Sequence, residues 1–224
     1  MKKPDCAGCG VKREEKACMI KEGKAPKEFC PTRDMPGLIE EVNKLYNKEE
    51  IYEFARQASI QEAEGYANRD EEADVIHPVK PRLQEISEFA DRMGYKRLGL
   101  AYCVGLQFEA GRLARFLEKQ GFEVVSVICK VGCTPKEALE LTENQKIREG
   151  RFETMCSPLA QAEILNNSET DFNVLLGLCV GHDSLFMKQS KAFTTVFAVK
   201  DRLLGHNPLA ALYTLHSYYQ RFDK

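Results

Sequence analysis

The sequence predicts an α/β fold: a four-stranded, mainly parallel, Rossmann-like sheet flanked by helices, preceded by a Cys-rich module and a helical segment. Three observations carry this. From residue 95 onward, short apolar runs alternate with stretches of helical periodicity, the pattern of βαβ units. One run, Asn173-Val-Leu-Leu-Gly-Leu-Cys179, is almost wholly apolar, as a strand covered by helices on both faces must be. The nine cysteines fall either in the first 30 residues or where predicted strands give way to helices. The expected division is residues 1–35 as the Cys-rich module, 36–94 as the helical segment and 95–224 as the α/β domain.

Residues 1–35 contain Cys6, Cys9, Cys18 and Cys30 in the spacing C-x2-C-x8-C-x11-C. So little apolar surface surrounds them that burial alone cannot fold the segment, and a metal is the natural crosslink. Four thiolates suit tetrahedral zinc or an iron–sulfur cluster, and the spacing does not choose between them.

In residues 36–94, Leu38, Val42 and Leu45 keep helical spacing, as do Ile51, Phe54, Ala55 and Ala58. Arg69–Asp74 reads as a solvated acidic turn, and His77-Pro-Val-Lys-Pro81 as a linker with Pro81 at the first helical position. Leu83, Ile86, Phe89, Ala90 and Met93 form the next buried stripe, which Gly94 ends.

The α/β domain then reads strand by strand. Arg97–Cys103 is followed by a helix through Leu106, Ala110, Leu113, Ala114 and Leu117, closed by Gly121. Glu123–Cys129 is followed by Lys-Val-Gly-Cys133 and by Thr134-Pro135-Lys136-Glu137, which reads as a capping box opening a helical insert to about Gly150. Ser157 and Pro158 start a helix through Ala162, Ile164 and Leu165. The third strand is the apolar run, after which Asp183 is expected to cap a helix. Thr194–Val199 is the fourth, and Asn207-Pro208 opens the last helix.

In an open parallel sheet, ligands bind at the carboxyl ends of the strands. Cys103, Cys129 and Cys179 end predicted strands, and Cys156 precedes a helix start on the same edge. From Cys103 to Cys129, Cys156, Cys179 and His206 the steps are 26, 27, 23 and 27 residues, about one soft ligand per unit. Cys103, Cys129, Cys156 and Cys179 are therefore the expected metal ligands. Cys133, His182 and His206 are candidates for an additional ligand or for donors to those ligands. Helix N-termini facing the thiols favour thiolate over thiol. Thiolates from four separate segments suit an anionic cluster, [4Fe-4S], better than a compact structural zinc.

Composition narrows the function. With 43% hydrophobic and 29% charged residues the chain is of ordinary soluble globular type. A net charge of -2 excludes a nucleic-acid footprint, which needs a basic excess. No apolar stretch approaches the roughly 18 residues of a membrane span, and Met-Lys-Lys-Pro-Asp-Cys leads into no apolar segment, so a cytoplasmic protein without a signal peptide is expected. In that compartment nine cysteines point to metal or redox chemistry and not to disulfides. No G-x-G-x-x-G, G-x-x-x-x-G-K-[ST] or G-x-S-x-G occurs, which weighs against a nucleotide-binding domain or a serine hydrolase.

Leu98–Ala110, Cys156–Glu163, Gly177–Phe186 and Lys200–Ala210 resemble the family known as domain of unknown function 1847. Its members are described only as uncharacterised, with a metal-binding assignment. The resemblance extends to the Cys6-x2-Cys9 segment. The family's largely anaerobic distribution would suit an oxygen-sensitive cluster, and it supplies no activity. The expectation is an iron–sulfur protein with a redox or reductive role, working with a redox partner or a small-molecule substrate, away from nucleic acid and membrane. The competing expectation is a metal or redox sensor, or a metallochaperone, with a structural zinc in the N-terminal module.

Overall fold

The computed structural model describes residues 3–73 and 75–223; Met1, Lys2 and Asp74, part of the N-terminal and acidic-turn readings, lie outside the described residues. The chain forms two compact units, Met1–Glu62 and Ala63–Lys224.

The first unit contains a 3-10 turn, Arg13–Glu15, then α1 (Pro31–Asp34), α2 (Pro36–Leu45) and most of α3 (Glu49–Glu64). Pro31 and Pro36 sit at the first helical positions, where a missing N–H costs nothing. The spacing of Leu38, Val42 and Leu45 accordingly runs along α2.

The second unit contains the predicted α/β fold and, ahead of it, the C-terminal part of the segment expected as a separate helical stretch. Strands β1 (Tyr66–Ala67) and β2 (His77–Pro78) pair antiparallel, so the start of the segment expected as a linker is a strand held against Tyr66–Ala67. Helix α4 (Arg82–Arg92) follows, with Pro81 as its N-cap and Gly94 in the left-handed region at φ +70. Then come β3 (Arg97–Tyr102), α5 (Gln107–Lys119), β4 (Glu123–Ile128), α6 (Pro158–Asn167), β5 (Phe172–Leu176), α7 (His182–Gln189), β6 (Phe193–Ala198) and α8 (Leu209–Tyr213).

The four long strands make one all-parallel sheet in the order β4-β3-β5-β6. Right-handed crossovers then place α5 on one face and α6 and α7 on the other. The strand order reverses at β3, which makes the carboxyl ends of β3 and β5 the natural ligand crevice. Leu98, Leu100 and Ala101 of β3 and Val174 and Leu175 of β5 are fully buried, which explains their unbroken apolarity. Asn173 is the polar exception. It accepts from the Thr170 hydroxyl at 2.8 Å and donates to Ser190 Oγ at 2.9 Å, so its burial leaves no unpaired group.

The sequence misplaces several local features. Thr134 does not cap a helix: Pro135 precedes a 3-10 turn, Lys136–Leu139, and a second one, Glu143–Gln145, carries the capping box at Thr142. No α-helix forms across the insert. The side chain of Lys146 is nearly buried between Glu137 and Glu143, and this charged cluster organises the segment where an apolar stripe was expected. Asp183 lies inside the first turn of α7, because Gly181, at φ +85, turns the chain first. Pro208 takes the cap position expected of Asn207, and Ser157 caps α6 without a side-chain hydrogen bond. Among the described residues no helix is long and apolar enough to cross a membrane.

Candidate functional site at the strand ends

Parallel strands deliver their carboxyl ends to one rim. Cys103 and Cys129 are the first residues beyond β3 and β4, and the Tyr102–Ile128 register makes them neighbours. The ladder continues through both: Cys129 N–H donates to Tyr102 O at 2.9 Å and Cys103 N–H to Leu176 O at 3.0 Å. Cys156 arrives from the insert. Met155 N–H donates to Thr134 O and Ser157 N–H to Cys129 O, each at 2.8 Å, which lays Cys156 beside Cys129.

The three thiols form a hydrogen-bonded chain with Cys129 in the middle, touching Cys103 on one side and Cys156 on the other. Cys103 and Cys129 are buried at 8% and 2% exposure, and Cys156 is half-buried. Hydrogen bonding from Cys129 lowers the pKa of Cys103; burial opposes this, and the Gly105 N–H and Lys200 assist it. Cys156 is lowered in the same way, first by Cys129 and then, against burial, by its interactions with Lys130 and His182. Cys129 is pushed up, first by its bonds to Cys103 and Cys156 and then by burial, against the Val104 N–H that donates to its sulfur at 3.3 Å. A thiol carries one hydrogen, so Cys129 serves one flanking thiolate at a time. The shifts thus favour the proton on Cys129 and thiolate character on its flanks, with a lysine at either end.

Those lysines are what the sequence reading missed. Lys130 directly follows Cys129, and its ammonium donates to Thr154 O at 2.5 Å. Lys200 directly follows the segment after β6, and its ammonium passes between two glycines to reach Cys103. A Cβ on Gly105 would lie 3.7 Å from Lys200 Nζ and 3.9 Å from Cys103 Sγ. One on Gly177, whose φ is +67, would lie 2.2 Å from Leu106 Cδ1 and 3.6 Å from that ammonium. The rule that marked the cysteines also marks both lysines, since they too stand at carboxyl ends.

The other expected site residues stand elsewhere. Cys179 lies three residues beyond the end of β5, and its sulfur accepts from Arg202 Nη2 at 3.0 Å. His182 opens α7 on the Cys156 side. His206, at φ +67, has its Nδ1 3.2 Å from both Asp201 N and Val199 O, held within its own loop. Cys133 is exposed, with φ +49, and its sulfur lies 3.6 Å from Thr154 Oγ1.

In the first unit, Gly8 N–H donates to Asp5 Oδ1 at 2.9 Å and closes the Cys6–Cys9 turn. A Cβ at Gly8 would lie 2.3 Å from Asp5 Oδ2. Arg33 donates to Pro26 O, Glu28 O and Asp34, while Asp34 accepts from Cys30 N–H, which fixes the last cysteine. Cys6, Cys9, Cys18 and Cys30 all line one cavity of about 70 Å³. Among the described residues, no three or more His, Cys, Asp or Glu side chains stand in a metal-ligating arrangement. In donor chemistry both cysteine sets suit thiophilic metals.

A family model described as protein of unknown function (DUF1847) matches residues 30–197, which takes in Cys30 and every rim cysteine but not Cys6, Cys9 or Cys18. An uncharacterized protein of Methanocaldococcus jannaschii is 45% identical over 177 residues, covering 79% of this chain and 84% of that protein.

Proposed function

The chain belongs to the DUF1847 family, whose description assigns no activity, and we propose from the rim itself that it is a metal-binding protein with a redox or reductive role, holding an iron–sulfur cluster through strand-end cysteines. The observation that carries this reading is the contact of Cys103, Cys129 and Cys156, three thiols from three segments with Lys200 and Lys130 at their ends. Those cations would offset the charge of an anionic cluster. Cys179 would supply the fourth thiolate on giving up Arg202; otherwise the three rim thiols would hold the group and a small substrate could approach it near His182. When bound, such a cluster supplies one-electron transfer. The chain's own contribution is to shield the sulfurs, hold their negative charge and keep the crevice between β3 and β5 accessible. All nine cysteines are free, which supports placing the protein in the reducing cytoplasm. A redox protein would be its partner.

A second reading has its own support, because the four N-terminal cysteines line a single cavity. That unit would hold a structural zinc or a second cluster, and the protein would act as a sensor or metallochaperone. Protein purified without oxygen decides between them. Iron with labile sulfide, and an EPR signal on reduction, is the expected result, with most of the iron lost in Cys103→Ser or Cys179→Ser. Full metal retention in both variants, or zinc alone, overturns the cluster.

A further inference from the structure

Ligands of a single ion need not touch one another, yet the rim thiols do. Cys103 and Cys129 share one buried cluster, and Cys156 packs against it. A disulfide needs sulfurs about 2.05 Å apart on neighbouring Cβ atoms, and residues packed in one cluster meet the second condition. Their exposures are unequal. Cys129 is 2% exposed and Cys103 8%, whereas Cys156 is half-buried on a segment entering from the surface insert. The Ser157–Cys129 backbone bond of 2.8 Å holds the two cysteines side by side.

We propose that Cys156 and Cys129 are a thiol–disulfide exchange pair that reduces a small-molecule disulfide, with Cys156 attacking and Cys129 resolving. The Cys156 sulfur bonds to one sulfur of the disulfide, and the other leaves as a thiolate that takes a proton from solvent. Cys129 then attacks Cys156, its proton passing to the second departing thiolate. The substrate disulfide becomes two thiols and the pair becomes a disulfide, two electrons having moved. A small dithiol returns the pair to its reduced form by the reverse exchange. Cys156 is the one of the two that a disulfide in solvent can reach, and the buried position of Cys129 keeps it from reacting first. Because a rim metal would occupy the same sulfurs, the exchange belongs to the metal-free protein.

The test uses the full-length chain with a chelator and glutathione disulfide as probe, followed by alkylation and peptide mass mapping. The native chain is expected to accumulate a Cys129–Cys156 disulfide with little glutathione on Cys156. In Cys129→Ala, glutathione should stay on Cys156 at a level about tenfold higher, because the resolving thiol is gone. Cys156→Ser should leave Cys129 unmodified. Equal glutathione on Cys156 with and without Cys129, or a Cys103–Cys129 crosslink instead, overturns the proposal. Iron content before chelation reports separately on the cluster.

Discussion

Cys129 is the residue on which the rim turns, since its single S–H is shared between two neighbours. A thiol whose folded pKa lies below its unfolded value, near 8.5, contributes stability that is present above the unfolded value and lost as pH falls through the folded one. Cys103 and Cys156 fall on that side. Cys129, pushed the other way, contributes stability that is present below the unfolded value and lost as pH rises through its folded one. Alkylation of Cys156 by iodoacetamide should therefore stay fast as pH drops below the ordinary thiol range, and Lys130→Ala should move its midpoint back up. A Cys156 midpoint at the ordinary value in the native chain would refute this assignment. The cysteines were legible in the sequence because a thiol at a strand end is unusual. Lys130 and Lys200 were not, because a lysine beside a strand reads equally well as a solvated side chain.

The elements owe their positions to a few close approaches. On β3, a Cβ at Gly99 would fall 1.9 Å from Asn173 Oδ1 and 2.8 Å from Leu165 Cδ1. Asn173 is fixed by Thr170 and Ser190 and cannot yield. Gly99→Ala is expected to cost about 1–3 kcal/mol, read as a lower urea midpoint with unchanged slope; an unshifted midpoint would show that α6 repacks freely. Above this contact, Gln161 of α6 donates to Tyr102 O at 3.2 Å and Val127 O at 2.7 Å, bracing the strands that end in Cys103 and Cys129. Periodicity found all four strands and helices α4 to α6, because each buries one repeating face; α7 was expected only from a cap at Asp183, and it buries Phe186 alone. It failed in the insert, where Lys146, Glu137, Glu143 and the Lys136–Glu153 pair do the organising by charge. Charge clusters of that kind have no period to read.

At the scale of the whole molecule, two units divide the cysteines, four in Met1–Glu62 and five in Ala63–Lys224. On the proposal that the first unit holds a metal, Cys9→Ser is expected to remove that metal while the thermal transition of the sheet stays unchanged. Collapse of that transition would mean that the sheet depends on the first unit. The β3–β5 pairing has a consequence in time. Arg97 N–H bonds to Asp171, 74 positions later in the chain. At roughly 5–20 residues per second, a ribosome needs about 4–15 s to travel that distance. During that interval Cys103, and then Cys129 and Cys156, emerge before the central strand that completes their rim exists. For those seconds the growing chain carries its rim thiols without the strand that covers them in the folded molecule.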